Sequence, residues 1–256
     1  MSNVLRIDHS GWVELRLNRP DARNALSGEL LHELLEHLQA ADDDSSVHAM
    51  LITGEGRDFC AGYDLKGKAD DSYGSHSVTD GGFDADLARV QKSAQPIMDV
   101  LKIRKPVVAM VHGFCLAGGT DLAFVCDIVI AADDAMIGFP ATRDLGSPPV
   151  PMWLYHVGPQ WAKRLLLTGD SISGQDAAKI GLVLKSVPRE ALEDEVHGLM
   201  RRMSAIDPHL LTANKRIVQF GLELPRCQQC LEPGPRERCS CASRAVGVGA
   251  QGVGAR

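Results

Sequence analysis

The 256-residue sequence lacks several features that define specialised classes of protein. It has no apolar run of the roughly 18–20 residues that a membrane span needs, and it does not open with the basic-then-apolar order of a signal peptide. It also has no excess of basic residues, since the net charge is −6, which argues against a nucleic-acid surface built on bulk charge. We therefore expect a cytoplasmic protein whose partners are neither a membrane nor a nucleic acid.

The cysteine pattern does not suit a disulfide framework. The seven cysteines are an odd number, with Cys60, Cys115 and Cys126 in apolar segments and four more crowded into 227–241, so reduced thiols are expected. The C-x-x-C and C-x-C spacings of that crowded stretch are compatible with zinc ligands. Because the second pair has only one intervening residue and no packed scaffold is predicted around it, we expect no metal.

Common nucleotide and metal motifs are also missing. The glycines after Leu116 do not form G-x-G-x-x-G, and no P-loop lysine follows them. His32 and His37 are five residues apart, roughly 140° around a helix, so they do not form the histidine pair of a zinc protease. His112 precedes a glycine turn and could act as a base, although a histidine packed at a strand end is the commoner arrangement.

Alternating strand and helix patterns predict the α/β class. A strand-like alternation on both sides of Ser10-Gly11 predicts an N-terminal hairpin, and Ser27 is a plausible N-cap for a leucine-rich amphipathic helix. Buried strands are predicted at 49–53, 107–111 and 128–131. Helices are expected at 84–104, 118–126, 159–167, 173–181, 190–204 and 208–221, with a further strand at 182–184. The polar stretch 67–83 is long for a simple connection and predicts a functional loop.

Two glycine turns that follow buried strands offer backbone donors. One leads from Val107–Val111 through Ala117-Gly118-Gly119 into a helix, and the other lies near Gly62. Backbone N–H groups from both turns could converge on one oxygen and form an oxyanion hole. Each turn alone is weak evidence, because glycine after a strand usually marks only a tight turn.

Taken together, the ordered motifs resemble the enoyl-CoA hydratase/isomerase, or crotonase, family. They include FCAGYDLK at 59–66 and HGFCLAGGTDL at 112–122. The other matching segments are 18–26, 52–58, 105–111, 126–131, 167–170 and 181–183, so the resemblance covers about residues 3–220. It implies a crotonase-like spiral of ββα units with a helical C-terminal region. It also implies an acyl-CoA substrate, no separate cofactor because coenzyme A is part of that substrate, and assembly as a homotrimer or a dimer of trimers.

The resemblance further implies which residues form the site. By position, the backbone N–H groups of Tyr63 and Gly118 would be the oxyanion hole that polarises the thioester carbonyl, and the Tyr63 side chain would be free to vary. The positions implied to flank or bind the substrate are Ala22, Arg23, Ala61, Asp64, Leu65, Lys66 and Gly119.

The catalytic acids depart from the family pattern. Hydratases of this family resemble one another in having two glutamates, and the first position here is Asp121, which is one methylene shorter. At the second, Ala141 follows Pro140, so Asp144 is either a displaced replacement or a surface aspartate. Asp121 at a helix start is expected to be ionised and to act as a base. The alternative is that it only caps or charges the helix start.

The implied function is that of an enoyl-CoA hydratase acting on 2-enoyl-CoA in fatty-acid or related acyl-CoA metabolism. Paired carboxylates serve the addition of water, so the missing second acid leaves two alternatives open. One is an enoyl-CoA isomerase, for which a single acid suffices. The other is a catalytically silent acyl-CoA-binding protein, which would bind the ester without turnover.

The resemblance implies a spiral core at 1–185 and a helical region at 186–224, and a change in composition marks a tail at 225–256. Glycine, arginine, cysteine and proline dominate the tail, and the helical period is lost. We expect the tail to be poorly ordered, and we hypothesise that it arose from a reading-frame change that weakens the trimer.

Overall fold

The computed structural model describes residues 2–65, 94–144 and 146–229, with residues 222–229 described as backbone only. The chain forms two compact units, Met1–Thr212 and Ala213–Arg256, and the candidate site lies in the first. The predicted tail and the predicted loop at 67–83 fall largely or wholly outside the described residues. The domain boundaries at 185 and 224 stay predictions.

The secondary structure alternates between strands and helices, which confirms the α/β class. The strands are β1 (Val4–His9), β2 (Trp12–Leu17), β3 (Ala49–Gly54), β4 (Val107–Val111), β5 (Phe114–Leu116), β6 (Ile128–Ala132), β7 (Met136–Gly138), β8 (Ser171–Ser173) and β9 (Lys185–Val187). The helices are α1 (Gly28–Asp43), α2 (described over 94–100), α3 (Gly118–Phe124), α4 (Met152–Thr168), α5 (Gly174–Lys179), α6 (Leu192–Ser204) and α7 (Pro208–Gln229).

The predicted N-terminal hairpin is confirmed. Strands β1 and β2 pair antiparallel from Val4 opposite Leu17 to His9 opposite Trp12. The turn between them contains Gly11 at φ +80°, a left-handed conformation that glycine adopts at little cost. Helix α1 begins after Ser27, whose hydroxyl accepts a hydrogen bond from the amide of Leu30, as expected of an N-cap.

A six-stranded sheet forms the centre of the first unit, in the order β1-β2-β3-β4-β6-β9. Every pair after the initial hairpin is parallel. All residues of β3 and β4 are buried, which is typical of parallel strands that are covered on both faces. A second sheet, in the order β5-β7-β8, places β5 directly before α3.

Several element boundaries differ from those predicted. Helix α2 ends at residue 100 rather than at 104, and β9 is shifted by three residues from the predicted strand at 182–184, to Lys185–Val187. Helix α4 begins at Met152, because two helical pieces join at a kink where Gly158 has φ +68°. Helix α7 continues to Gln229, past the change of composition at Leu224. None of the described helices has the length and apolarity needed to cross a membrane.

Candidate active site

The turn before α1, within the 18–26 segment, fixes the position of one side of the candidate site. Asn24 is fully buried at φ +55°, a left-handed conformation that asparagine tolerates better than most residues. Its Nδ2 donates to the carbonyl oxygens of Glu55 (3.0 Å) and Asp58 (2.8 Å), and its Oδ1 accepts from the amide of Arg19 (2.9 Å). The side chain of Asn24 therefore ties the 18–26 segment to the loop that follows β3.

The same turn fixes the backbone around Tyr63. The amide of Leu26 donates to the carbonyl of Gly62 at 2.8 Å, and the amide of Asp64 donates to the carbonyl of Leu26 at 2.9 Å. Tyr63 is thus held in a short parallel bridge with Leu26. Gly62, at φ +117°, supplies the left-handed bend that directs the chain into this bridge.

The second glycine turn contains a strained residue. Ala117 has φ +48° and ψ −120°, a conformation that costs a non-glycine residue of order 1–3 kcal/mol. Its amide donates to the carbonyl of Gly138 at 3.0 Å, and its carbonyl accepts from the amide of Thr120 at 2.8 Å. These bonds hold the bend at which Gly118 begins α3.

The two turns meet through the ring of Tyr63. A Cβ atom placed on Gly118 would lie 2.7–2.8 Å from three carbons of this ring, so the ring packs directly on the Gly118 backbone. A Cβ placed on Gly62 would lie 3.0 Å from the Cβ of Ala117. The structure therefore brings the predicted oxyanion-hole residues, Tyr63 and Gly118, side by side.

Asp121 lies next to the contact between Tyr63 and Gly118. It is 1% exposed, and its Oδ2 accepts a hydrogen bond from the Tyr63 hydroxyl at 2.8 Å. Its Oδ1 is buried and has no hydrogen-bond partner in the described part of the chain. An unsatisfied buried acceptor costs about 1–3 kcal/mol, which is unusual enough to call for a functional reason.

Burial determines the protonation of Asp121. It raises the pKa of this carboxyl to about 8, although the hydrogen bond from Tyr63 acts in the opposite direction. The expectation that Asp121 is ionised at neutral pH is therefore wrong, because the loss of solvation in a fully buried helix outweighs the favourable helix start. Asp121 does not cap α3, which begins without any side-chain cap, although it is an acidic residue in the first turn of that helix.

In the described part of the chain, the fully buried thiols of Cys60 and Cys115 also interact electrostatically with Asp121. Burial raises the pKa of Cys60 to about 12 and that of Cys115 well above its usual value. Both remain neutral thiols near pH 7, so Asp121 and Tyr63 are the groups of this cluster that can exchange protons with a substrate.

Arg23 and Ala61 are in direct contact. The amide of Ala61 donates to the carbonyl of Arg23 at 2.9 Å, and the Arg23 guanidinium lies 4.8 Å from the centroid of the Phe114 ring. Ala22 is exposed at the end of a short 3-10 helix. Leu65 is 55% exposed, and Lys66 lies outside the described residues.

Asp64 and Gly119 make contacts within the protein. The carboxylate of Asp64 accepts from the Arg19 guanidinium at 2.7 Å. A Cβ on Gly119 would lie 2.5 Å from the carbonyl oxygen of Cys60, so this glycine allows α3 to approach the backbone of the segment that follows β3. Their predicted roles in substrate binding stay predictions.

The predicted second acid lies at the protein surface. Asp144 is exposed at the end of the 3-10 helix Pro140–Arg143, and Ala141 is half-buried. Neighbouring Arg143 donates to the carbonyl of Thr168 and to the carboxylate of Asp170, both at 2.9 Å. A catalytic role for Asp144 stays a prediction.

His112 packs as a strand-end histidine. Its Nε2 lies 3.1 Å from the carbonyl oxygen of Gly56, and burial lowers the pKa of its imidazole. Within the described ranges, no group of three or more His, Cys, Asp or Glu side chains could hold a metal ion. The crowded cysteines at 227–241 are not among the described side chains.

Sequence reasoning missed the Tyr63 side chain, which it treated as free to vary. The structure instead gives this side chain a direct hydrogen bond to the buried carboxyl of Asp121. The sequence offered one signal, a hydroxyl-bearing aromatic in an otherwise small-residue motif, Cys60-Ala61-Gly62-Tyr63.

The site lies on a fold with many known relatives. The Escherichia coli K12 2,3-dehydroadipyl-CoA hydratase is 33% identical over 88% of this chain and 84% of its own. The Syntrophomonas wolfei crotonyl-CoA hydratase is 36% identical over 86% and 83%. An enoyl-CoA hydratase crystal structure from Mycobacterium smegmatis matches with a TM-score of 0.80 and 31% identity over 89% of this chain and 80% of its own, which confirms the crotonase fold. A family model for enoyl-CoA hydratase/isomerase matches residues 8–232, and the chain therefore belongs to this family.

Proposed function

We propose that the protein is an acyl-CoA enzyme that adds water to a 2-enoyl-CoA thioester. The observation that carries this proposal is the buried carboxyl of Asp121, held at the turn where Tyr63 meets Gly118. Relatives named as hydratases of crotonyl-CoA and 2,3-dehydroadipyl-CoA support the same reaction class.

The first step is polarisation of the thioester. The thioester oxygen accepts hydrogen bonds from the backbone N–H groups of Tyr63 and Gly118, which draw electron density away from the C2=C3 double bond. Backbone donors held by a rigid turn need no reorganisation as negative charge develops on that oxygen. The bonds that fix both turns supply this rigidity.

The second step is addition of water by a single acid–base group. The water oxygen bonds to C3, the π electrons move onto the thioester as an enolate, and the ionised Asp121 takes up the proton that the water loses. That proton then passes to C2 and the enolate collapses to the thioester. One water is added, no cofactor is consumed, and Asp121 ends in its starting state.

A pKa of about 8 suits this role. A group that must both accept and return a proton works best when its pKa is close to the operating pH. In water an aspartate would be too weak a base for this task. Burial thus prepares Asp121 for two-way proton transfer.

A specific observation favours isomerisation as the second candidate. Ala141 follows Pro140, at the position where hydratases of the family are expected to have their second glutamate. A single acid can move a proton between C2 and C4 without adding water. The enoyl-CoA isomerase activity therefore stays open as an alternative.

A panel of 2-enoyl-CoA esters of increasing chain length tests the proposal. Hydration predicts loss of the conjugated-thioester absorbance together with a mass gain of one water. Isomerisation would change the absorbance at constant mass. Tight ester binding with neither change would contradict both enzyme assignments.

We also propose assembly as a homotrimer or a dimer of trimers. Large apolar side chains on α4 that are exposed in the single chain support it, namely Leu154, Tyr155, Trp161 and Leu167, because apolar surface of this kind often marks a protein interface. Light scattering should give a mass of three or six chains, and a monomeric mass would contradict the proposal.

The metabolic pathway and the cytoplasmic location stay predictions from the sequence.

A further inference from the structure

The carboxyl of Asp121 is buried, so a substrate has less direct access to it than to a catalytic acid that lines an open pocket. Asp121 is 1% exposed, and every residue of α3 is buried. One oxygen of its carboxyl is bound by the Tyr63 hydroxyl, and the other is enclosed without a partner in the described structure. A substrate at the surface of this cluster would therefore meet Tyr63 before it meets Asp121.

The Tyr63 side chain is the half-buried member of the pair. Its ring lies on the Gly118 backbone, and its hydroxyl is 2.8 Å from Asp121 Oδ2. Its own amide and that of Gly118 are the donors proposed for the thioester oxygen. The phenol thus spans the distance from the proposed carbonyl position to the buried carboxyl.

We infer that the Tyr63 hydroxyl relays the proton between Asp121 and the acyl group, so that the reacting acid of this site is a tyrosine–aspartate pair. This inference rests on the proposed function. When water adds to C3, its proton passes to the phenol oxygen as the phenol proton passes to Asp121. In the reverse relay, the phenol gives its proton to C2 and recovers one from Asp121. No net proton or electron is gained or lost by the pair.

Tyr63→Phe is the direct test, because it removes the hydroxyl and keeps the ring on Gly118. We expect the plateau rate of hydration to fall about 100-fold or more, the size of one acid–base contribution, with KM nearly unchanged. The midpoint of the pH–rate profile should also move upward, because the Tyr63 hydrogen bond lowers the pKa of Asp121. Ser45→Ala, which also removes one hydroxyl but from an exposed residue, is the control and should leave both quantities unchanged.

The shift of the midpoint separates a relay from a purely positioning role. A tyrosine that only orders Asp121 would shift the midpoint but leave the plateau rate intact once Asp121 is ionised. An intact plateau in folded Tyr63→Phe would therefore overturn the relay. Circular dichroism and acyl-CoA binding establish that the variant is folded.

The proton inventory gives a test on the unaltered protein. Rates measured in mixtures of light and heavy water should depend nonlinearly on the deuterium fraction, because two protons move in one relay step. A linear dependence would overturn the inference, whether or not the variant folds.

Exchange at C2 distinguishes this inference from the proposed function. With a saturated acyl-CoA in heavy water, the wild type should incorporate deuterium at C2, and Tyr63→Phe should do so about 100-fold more slowly. Such a result supports the relay even if hydration is never observed. Equal exchange by both proteins, or no exchange by the wild type, would overturn it.

Discussion

The phenol oxygen of Tyr63 lies 2.8 Å from Oδ2 of Asp121, although 58 residues separate them in the chain. This contact joins two turns that each follow a buried strand, and it places a proton-exchanging group at the proposed thioester position. Because Asp121 is buried and its pKa is raised to about 8, the contact is a feature of chemistry as well as of packing.

Replacing Asp121 tests its proposed role. Asp121→Asn keeps the size of the side chain and can still accept from Tyr63, so fold and acyl-CoA binding should be retained. Turnover should fall by about 100- to 10,000-fold, the usual contribution of one general acid–base group. Steady-state kinetics and calorimetric binding of the ester measure the two effects separately.

Asp134→Asn is the matched control, because Asp134 is an exposed aspartate in the same unit and lies outside the predicted site. Its turnover should change little. Asp144→Asn tests the other predicted acid. If Asp144→Asn instead loses activity while Asp121→Asn retains it, the acid has been assigned to the wrong residue.

The rate should increase with pH over the neutral range. Proton uptake requires ionised Asp121, and its pKa of about 8 means that the ionised form is a minority near pH 7. We expect kcat/KM to rise by up to tenfold per pH unit below about pH 8 and then to level off. A profile that falls between about pH 6 and pH 8 would disagree with this account.

The same carboxyl should make stability depend on pH. Its pKa is near 3.9 when the chain is unfolded and about 8 when it is folded, so the folded state prefers the protonated form. The stability contributed by this protonated form is complete below about pH 4 and is lost as the pH rises to about 8. Urea unfolding near pH 6 and pH 9 should show a smaller decrease for Asp121→Asn than for the wild type; equal decreases would contradict the buried carboxyl.

The two glycines of α3 should respond differently to alanine. At Gly118 the added Cβ meets the Tyr63 ring, a side chain that can move, so Gly118→Ala should lose activity with modest loss of stability. At Gly119 it meets the backbone carbonyl of Cys60 at 2.5 Å, so Gly119→Ala should cost about 1–3 kcal/mol of unfolding free energy. Gly28→Ala, with open space around its Cβ, is the control. Greater destabilisation at Gly118 than at Gly119 would contradict these contacts.

Much of the fold follows from local sequence. The Ser10-Gly11 turn, the Ser27 cap and the apolar run at Val107–Val111 each encode an element through neighbouring residues, and each was predicted correctly. The ends of α4 and α7 were less predictable, because a kink at Gly158 and the continuation through Leu224 override local composition.

The motifs indicated Tyr63, Gly118 and Asp121, and the structure places Tyr63 in contact with the other two. Their roles in the reaction stay predictions. The protonation of Asp121 depends on burial by distant elements, and the role of the Tyr63 hydroxyl depends on a contact across 58 residues. Neither property can be read from the spacing within a motif.

Hydration in heavy-oxygen water tests the central claim most directly. The protein is incubated with a short 2-enoyl-CoA in water labelled with heavy oxygen, and the product is analysed by mass spectrometry. We predict a 3-hydroxyacyl-CoA that carries one solvent oxygen at C3, formed by the wild type and largely lost in Asp121→Asn. A product with a moved double bond and no solvent oxygen, or an ester that is bound and recovered unchanged, would contradict the account.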